Sequence, residues 1–184
     1  MAKLTQTSPL NGYDQSIGDM RLREIHDLDL TALAVPHKGG TKIKSAIKDG
    51  FGLAMPTSVK STANDKTRLL MTQPDQVFAM TPRTKHAETT IAKAIGDTAY
   101  ITDQTDAWVV LELSGPSSRT ALERICQVDL DAQVFKLNQM ARTTMEHMGS
   151  IVIRNGKDSF LLMSGSSSAA SFLHAVELSA MHVS

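Results

Sequence analysis

The chain has 184 residues, and 19 Lys plus Arg balance 19 Asp plus Glu, so its formal net charge is zero. A neutral chain has no overall field to attract nucleic acid or an anionic membrane surface, and aromatic residues, on which bases could stack, make up only 4%. The single cysteine, Cys126, excludes an internal disulfide and a CxxC metal or redox site. No segment has the apolar length of a signal sequence or a membrane span, so we expect a cytoplasmic protein.

The first predicted feature is an N-terminal arm. Residues 1–24 contain Pro9, Gly12 and Gly18 but few apolar residues at a regular spacing. We expect this arm to be extended, and either mobile or laid over a partner. Residues 25–184 are then predicted to form a single α+β domain, because this length suits one domain made of two small halves.

The first half, about residues 25–98, has the patterns of both strands and helices. Alternating apolar residues predict strands, and apolar residues spaced i, i+3, i+4 predict helices. In chain order, the predicted elements are a strand over residues 28–36, a helix from about residue 41, a strand over 51–56, a hairpin with arms 67–72 and 76–81, and a helix from about residue 83 to Gly96.

The second half, about residues 99–184, repeats this order. Its predicted elements are strands over residues 99–104 and 107–115, a helix over 116–126, a hairpin with arms 149–154 and 159–164 around Asn155-Gly156, and a last helix over 167–181. Strand, helix, strands and helix thus occur twice, about eighty residues apart. Since neither half would bury its sheet face alone, we predict two α+β halves packed as one unit.

The segment SGPSS, residues 114–118, could hold a phosphate, supply a nucleophile or start a helix. The sequence has no GxxxxGK[ST] or GxGxxG phosphate motif and no GxSxG elbow, and Pro116 lacks an N–H donor. Proline after Ser-Gly is typical of a capped helix start, which is our interpretation. The serines of residues 164–171 are interpreted in the same way, with anion binding at that helix N-terminus as the weaker alternative.

No arrangement of acids, bases or metal ligands stands out in the sequence. The histidines show no HxH or HExxH spacing, and His174 is expected on a helix surface or at an interface. Asp27, Asp29, Asp129 and Asp131 fall at turns or strand edges, where solvated acids are the default. Ten methionines predict a soft core or a Met-rich contact surface. The lack of a catalytic constellation favours a binding or structural subunit.

A recognisable run, Asp-x-Trp-Val-x-Leu-x-Leu-Ser-Gly-Pro, is followed by a helix, a cysteine and a Leu-Asp pair within residues 102–131. Its residues are Asp106, Trp108, Val109, Leu111, Leu113, Ser114, Gly115, Pro116, Cys126, Leu130 and Asp131. Arg142-Thr143 and an apolar hairpin over 147–163 come next. In these features the chain resembles the gamma subunits of heterotetrameric sarcosine oxidase. The resemblance covers about residues 28–180 and is specific over 102–163.

One segment departs from the family pattern. Family members often have Arg-Ser-Phe-Ala at the start of the last helix, whereas residues 166–169 here are Ser-Ser-Ser-Ala. The arginine and the aromatic residue are missing, which leaves room for a family member that serves another N-methyl amino acid.

The resemblance implies a fold similar to the folate-binding domain of the glycine cleavage T-protein, a two-part α+β module. It implies a non-catalytic structural subunit without a cofactor of its own. Such subunits pack against alpha and beta subunits that hold NAD, FAD and covalently bound FMN, while a small delta subunit binds zinc. These complexes oxidise sarcosine to glycine and produce hydrogen peroxide. Tetrahydrofolate, bound by the alpha subunit, removes the methyl carbon as methylenetetrahydrofolate.

The candidates for subunit contacts are Arg142, Thr143 and His147, together with the N-terminal arm. Arg142 is the strongest of these candidates, because guanidinium groups are favoured in interfaces.

Two other functions stay open at this point. A stand-alone folate-binding or one-carbon-transfer protein of the T-protein type would need a carboxylate that holds the pterin in a central channel, and the sequence does not identify one. A homo-oligomeric scaffold is the second possibility. Within the main interpretation, the chain could also serve a related N-methyl amino acid oxidase or dehydrogenase.

Overall fold

The structure is a computed structural model that describes residues 7–84 and 86–184. Within these residues the chain forms eleven strands and four α-helices. In chain order they are β1 (Asp14–Ile17), β2 (Met20–Glu24), β3 (Leu28–Ala34), α1 (Gly40–Phe51), β4 (Thr62–Ala63), β5 (Arg68–Gln73), β6 (Gln76–Pro82), α2 (Ala87–Ile95), β7 (Tyr100–Asp103), β8 (Trp108–Ser114), α3 (Ser118–Glu123), β9 (Met140–Met145), β10 (Met148–Gly156), β11 (Ser159–Gly165) and α4 (Ala169–Met181).

The strands form two antiparallel sheets that pack face to face. One sheet has six strands in the order β1-β2-β8-β11-β10-β9, and the other has five in the order β4-β5-β6-β3-β7. Leu30 and Phe78 of the five-stranded sheet share a core with Val110 and Ile151 of the six-stranded sheet. This core joins the two halves of the chain. The predicted α+β fold of two halves packed as one unit is therefore confirmed.

The helices cover the outer faces of the two sheets. Ile91 of α2 packs with Leu33 of β3, and Phe172 of α4 packs with Leu111 of β8. Neighbouring residues in β3 therefore point into different cores, Ala32 towards the other sheet and Leu33 towards the helices. Burial on both faces explains the nearly continuous apolar runs of the central strands. Each fully buried Leu or Phe side chain stabilises the fold by about 1.5–3 kcal/mol.

Residues 14–24 correct the prediction of an extended arm. They form the hairpin β1–β2, and β2 pairs with β8 in the six-stranded sheet. Met20 and Leu22 are buried in the same core as Phe172. This strand is not evident in the sequence, because Leu22 lies between two arginines and is not part of an apolar run. The predicted arm is thus wrong for residues 14–24, and residues 1–6 lie outside the described part of the chain.

The sheets also shift the predicted boundaries of the two halves. The six-stranded sheet begins at β1, so the predicted domain start at residue 25 is too late. Strand β7 pairs with β3, so the five-stranded sheet extends beyond the predicted boundary between residues 25–98 and 99–184. Antiparallel pairing in space, not the order of patterns along the chain, decides these boundaries.

The predicted strand over residues 51–56 is wrong. Helix α1 continues through Phe51 and ends at Gly52, which has a φ of 67°. A left-handed glycine is a common helix end, and the next residues run as a loop in which Leu53 and Pro56 are buried. Strand β9 was not predicted, because polar residues separate its two buried ends, Met140 and Met145.

The hairpin β10–β11 is confirmed, but its turn differs from the prediction. Gly156 pairs with Ser159, so residues 157–158 form the turn, and the register shifts between Arg154 and Gly156. Asn155 is thus the extra residue of a β-bulge. Its side chain is engaged with Arg68 and Glu112, which explains why it does not occupy the turn.

The segment at residues 114–118 starts a helix, as predicted, but it does so without side-chain capping. Helix α3 begins at Ser118, and neither Ser117 nor Ser168, which precedes α4, makes a side-chain cap hydrogen bond. Ser117 Oγ instead donates to Asp19 Oδ2 at 2.9 Å. The prediction that these hydroxyls cap helices is therefore wrong for Ser117 and Ser168, and the Ser117 hydroxyl instead binds the β1–β2 turn. The other predicted helices and strands are found close to their expected positions.

Gly115 allows the β8–α3 turn to pack against the β1–β2 turn. Its φ is +125°, and an added Cβ would overlap the Asp19 carbonyl oxygen and lie 2.7 Å from Met20 Cα. We expect Gly115→Ala to lower the free energy of unfolding by about 2–4 kcal/mol, through both strain and overlap. Chemical denaturation of the two proteins measures this difference.

The matched control is Gly149→Ala on β10, where an added Cβ meets nothing within 4 Å. We expect this variant to stay within about 0.5 kcal/mol of the parent protein. Equal destabilisation by the two substitutions would show that the approach of Asp19 to Gly115 does not limit the fold.

Candidate functional site

The space between the sheets is a candidate ligand site, because both halves of the chain contribute residues to it. Most of it is filled by apolar side chains. At one end, Phe78 and Trp108 pack edge to face with ring centroids 5.7 Å apart. Beside Trp108 lies a cavity of about 30 Å³, lined mainly by residues of the β2–β3 and β8 region, including Ile25, Leu28 and Val110. This volume suits one or two water molecules.

Glu24 lines this cavity together with Ser8 and Pro9. Its carboxylate is buried, with 5% of the residue exposed. It accepts hydrogen bonds from Ser8 Oγ at 2.7 Å, Leu10 N at 3.1 Å and Gly12 N at 2.8 Å. A carboxylate that binds three donors of its own chain is committed to structure. Glu24 therefore anchors residues 8–12 beside the cavity.

These observations test whether a folate could bind between the halves, as the resemblance to the T-protein fold raises. Pockets for molecules of that size have volumes of about 300–1,000 Å³, which is roughly ten to thirty times the volume of this cavity. The buried carboxylate beside it, Glu24, already has its hydrogen-bond donors from residues 8–12. Over the described residues, this cavity is therefore too small for a pterin.

A polar network lies farther along β8, between the two sheets. Glu112 accepts from Arg23 Nε at 2.8 Å and from Ser159 Oγ at 3.0 Å. It also accepts from Asn155 Nδ2 at 3.3 Å, and Asn155 Oδ1 in turn accepts from Arg68 of the opposite sheet at 2.7 Å. Burial lowers the pKa of the Arg68 guanidinium. Each of these groups has partners in the chain, so the network fixes one sheet against the other.

The serines and acids weighed as candidates are also engaged in structure. Ser118 Oγ donates to Asp158 O at 3.2 Å, and Ser117 binds Asp19. The expectation of solvated acids is wrong for Asp29, which is buried and accepts from Thr84 N at 2.6 Å. Over residues 7–84 and 86–184, no group of three or more His, Cys, Asp or Glu is arranged to hold a metal ion.

Helix α4 carries His174 on its exposed side, as expected. His174 lines a surface recess with Ile125, Met148 and Leu178, and the recess has a volume of about 420 Å³. In the same recess, Arg124 Nη2 lies 3.3 Å from His182 Nδ1. None of the helices in the described part of the chain is long and apolar enough to cross a membrane.

Arg142, the strongest interface candidate, lies on β9, an outer strand of the six-stranded sheet. Its guanidinium donates to Thr72 O at 2.7 Å, and its other donors are exposed at the surface. It lines a groove of about 510 Å³ between β9 and the β5–β6 hairpin, together with Val59, Met71 and Met140. The sequence did not point to Val59, because it stands alone among polar residues.

The structure does not gather all three interface candidates into one cluster. Thr143 is next to Arg142 but points to the other face of β9, because side chains alternate along a strand. His147 sits at the tip of the β9–β10 turn with a φ of 68°. It lines a separate recess with Glu123, Arg124 and Cys126. Arg142 and His147 thus mark two neighbouring surfaces.

Comparison with known proteins supports the resemblance found in the sequence. No family model matches the chain. Over 150 residues the chain is 29% identical to the sarcosine oxidase subunit gamma of Corynebacterium sp. (strain P-1), covering 79% of this chain and 72% of that protein. The resemblance to sarcosine oxidase gamma subunits is confirmed.

The fold agrees with two solved structures. Heterotetrameric sarcosine oxidase from Corynebacterium sp. U-96, in complex with pyrrole 2-carboxylate, contains a chain that matches with a TM-score of 0.77 and 21% identity, covering 89% of this chain and 84% of that one. The glycine cleavage system aminomethyltransferase T from Bartonella henselae matches with a TM-score of 0.62 and 12% identity, covering 93% and 56%. These likenesses confirm the fold expected from the T-protein.

Cys126 provides a probe of the recess beside His147. The residue is 7% exposed, and burial raises the pKa of its thiol, partly offset by a hydrogen bond from Val128. We expect a thiol reagent at pH 8 to react with the native protein far more slowly than with the unfolded protein, because only the unfolded thiol is both accessible and partly ionised. The colour released by an aromatic disulfide reagent measures both rates.

The same pKa shift predicts a pH dependence with a defined sign. Well below about pH 8.5, the usual thiol pKa, the group is protonated in both states and has no effect. Above that pH the unfolded state ionises first, so the free energy of unfolding falls as the pH rises towards the higher folded pKa. Cys126→Ala should show a smaller fall between pH 8 and 10. Parallel curves for the two proteins would contradict the shift.

Proposed function

We propose that this chain is the gamma subunit of a heterotetrameric complex of the sarcosine oxidase type, and that it acts as a non-catalytic structural subunit. The observation that carries the proposal is agreement at two levels. The chain resembles gamma subunits in sequence over most of its length, and it matches a chain of a heterotetrameric sarcosine oxidase in fold. The family run is used structurally here: Trp108 packs on Phe78, and Gly115 permits the turn beside Asp19.

The activity belongs to the whole complex in this proposal. The complex oxidises sarcosine to glycine and produces hydrogen peroxide, and tetrahydrofolate accepts the methyl carbon as methylenetetrahydrofolate. It uses flavin and folate, with FAD, FMN and NAD held by the alpha and beta subunits and zinc by the delta subunit. We propose a cytoplasmic location for the assembly.

A structural role for this chain is supported by how its polar groups are used. Glu24 binds the backbone and side-chain donors of residues 8–12, and Glu112 links Arg23 to Asn155. The cavity between the sheets has room for water only. Glu24 and Glu112 therefore stabilise the fold, which supports a structural role for these two carboxylates.

The departure at residues 166–169 bears on the substrate. Ser166–Ser168 form a turn of 3-10 helix that leads into α4 at Ala169, and Ser168, which precedes α4, makes no side-chain cap hydrogen bond. The missing arginine and aromatic side chain change the surface that this end of α4 presents to neighbouring subunits. A complex for a related N-methyl amino acid is therefore the second candidate, and an amine screen distinguishes it from a sarcosine-specific one.

Co-expression with the flavin-bearing subunits tests the proposal directly. With an affinity tag on this chain, we expect purified material that is yellow, contains alpha, beta and delta subunits, and oxidises an N-methyl amino acid. Omission of this chain should prevent the other subunits from assembling into a stable complex. Flavin absorbance and peroxide production measure the two properties.

A second titration addresses the stand-alone folate-binding alternative. The isolated chain, mixed with tetrahydrofolate in a calorimeter, should show no saturable binding at micromolar concentration. Tight binding by the isolated chain, together with a colourless pull-down, would replace the subunit proposal with the folate-binding one.

A further inference from the structure

We propose that the groove beside β9 receives an extended segment of a partner subunit, which adds to the open edge of β9 and places a carboxylate on Arg142. The groove is the surface between β9 and the β5–β6 hairpin. Its lining is mainly apolar, with three neutral polar residues and Arg142: Ser58, Val59, Met71, Thr72, Gln73, Pro74, Met140, Ala141 and Arg142. This inference rests on the proposed function, since it names the chemistry by which the partner would bind.

Strand β9 lies at the edge of the six-stranded sheet, and some of its backbone hydrogen-bonding groups face away from β10. Ala141 and Thr143 pair with Val152 and Ser150 of β10, and the two-residue turn after Met145 fixes which pairs are hydrogen-bonded. In an antiparallel ladder these pairs alternate with pairs whose backbone groups point away. The N–H and C=O of Arg142 and the N–H of Thr144 therefore face outward.

The ends of this edge are already occupied by the chain itself, which makes the open part short and well defined. Met140 N donates to Val59 O at 3.0 Å, and Cys126 bridges to Met145 at the other end. Between these two points, no backbone–backbone hydrogen bond from another described segment reaches the outward N–H or C=O of Arg142. An extended peptide can add two or three hydrogen bonds there, as in other cases of strand addition.

Large apolar side chains in and beside the groove are exposed to solvent. Val59, which lines the groove, is 58% exposed, and Leu137, which lies outside the lining, is 55% exposed, although both are large apolar residues. Both flank the crossing where Lys60 pairs with Gln139. Exposed apolar side chains concentrated beside an open strand edge are a hallmark of interaction surfaces.

The groove also carries the positive charge of Arg142. Arg142 is the one charged side chain that lines the groove, and it forms no ion pair with any described residue. Its bond to Thr72 O uses a single guanidinium nitrogen and holds the side chain in place. The remaining donors are free to bind a carboxylate in a two-pronged manner.

A second copy of this chain is a poorer occupant than a different subunit. Two copies related by a twofold axis would pair β9 with β9, because such interfaces are isologous. The open segment is centred next to Arg142, so pairing would bring two guanidinium groups together. Like charges facing each other disfavour this arrangement. An apolar segment with an Asp or Glu side chain complements the groove instead.

Zero-length cross-linking tests the stated chemistry in the assembled complex. Arg142→Lys keeps the positive charge and supplies an amine, which a carbodiimide couples only to a carboxylate in direct contact. We expect mass spectrometry to find the peptide that contains this substitution joined to an Asp or Glu of a partner subunit. Parent complex, with Arg142 in place, should lack that product.

Two pairs of variants measure the contribution of the groove to assembly. Arg142→Glu should weaken association about tenfold or more by placing like charges together, whereas Lys93→Glu, an equal charge change on exposed α2, should not. Thr144→Pro removes the outward N–H, and Thr144→Val keeps it, so only the proline variant should weaken association. Thermal unfolding of each isolated variant verifies that it folds.

The outcomes separate this inference from the proposed function. If the parent chain assembles and Arg142→Glu assembles equally well, without the cross-link, the groove inference is overturned and the subunit proposal stands. If the folded parent chain does not assemble with the flavin-bearing subunits, both are overturned. Loss of association in Arg142→Glu, with the cross-link in Arg142→Lys, supports the inference.

Discussion

The face-to-face packing of the two sheets is the constraint on which the rest of this structure depends. Leu30 and Phe78 on one sheet meet Val110 and Ile151 on the other, and this core is apolar and filled. Polar groups are tolerated there only at the margins and only with partners, because a buried polar group without a hydrogen bond costs about 1–3 kcal/mol. In this chain the apolar side chains between the two halves fill the space in which a ligand could otherwise lie, and they join the halves.

Because the space between the sheets is filled, we expect a partner to bind at the surface of the protein. The helices limit which parts of the sheets are exposed there. Because α1, α2, α3 and α4 cover the outer sheet faces, the strand edges are what the sheets still expose. Proteins normally protect such edges with charge, bulges or short strands. Strand β4 has two residues and offers little edge, whereas β9 has six residues and a flanking apolar groove. An edge left open beside apolar side chains favours binding of another chain.

The sequence predicted an element correctly where its buried residues follow a regular period. The strand at residues 107–115 and the helix around Ile91 have the expected periods, and the family run led to the correct fold. It failed where tertiary partners decide the outcome. Strand β2 has one central leucine between arginines, and Asn155 left the expected turn because Glu112 and Arg68 bind its side chain. Arg142 was chosen from residue type, but the groove beside it depends on residues far apart in sequence.

The buried network also shapes the exposed groove. Arg68 donates to Ser61 Oγ at 2.8 Å and to Asn138 Oδ1 at 2.9 Å, and Ser61 N donates to Asn138 O at 2.8 Å. These contacts hold the segment that follows Val59 against the segment that leads into β9. The acceptors that bind Arg68 are neutral oxygens of Ser61, Asn138 and Asn155, so its guanidinium is held by hydrogen bonds, which have strict geometry. A cation between the sheets therefore positions the edge at which we propose that a partner binds.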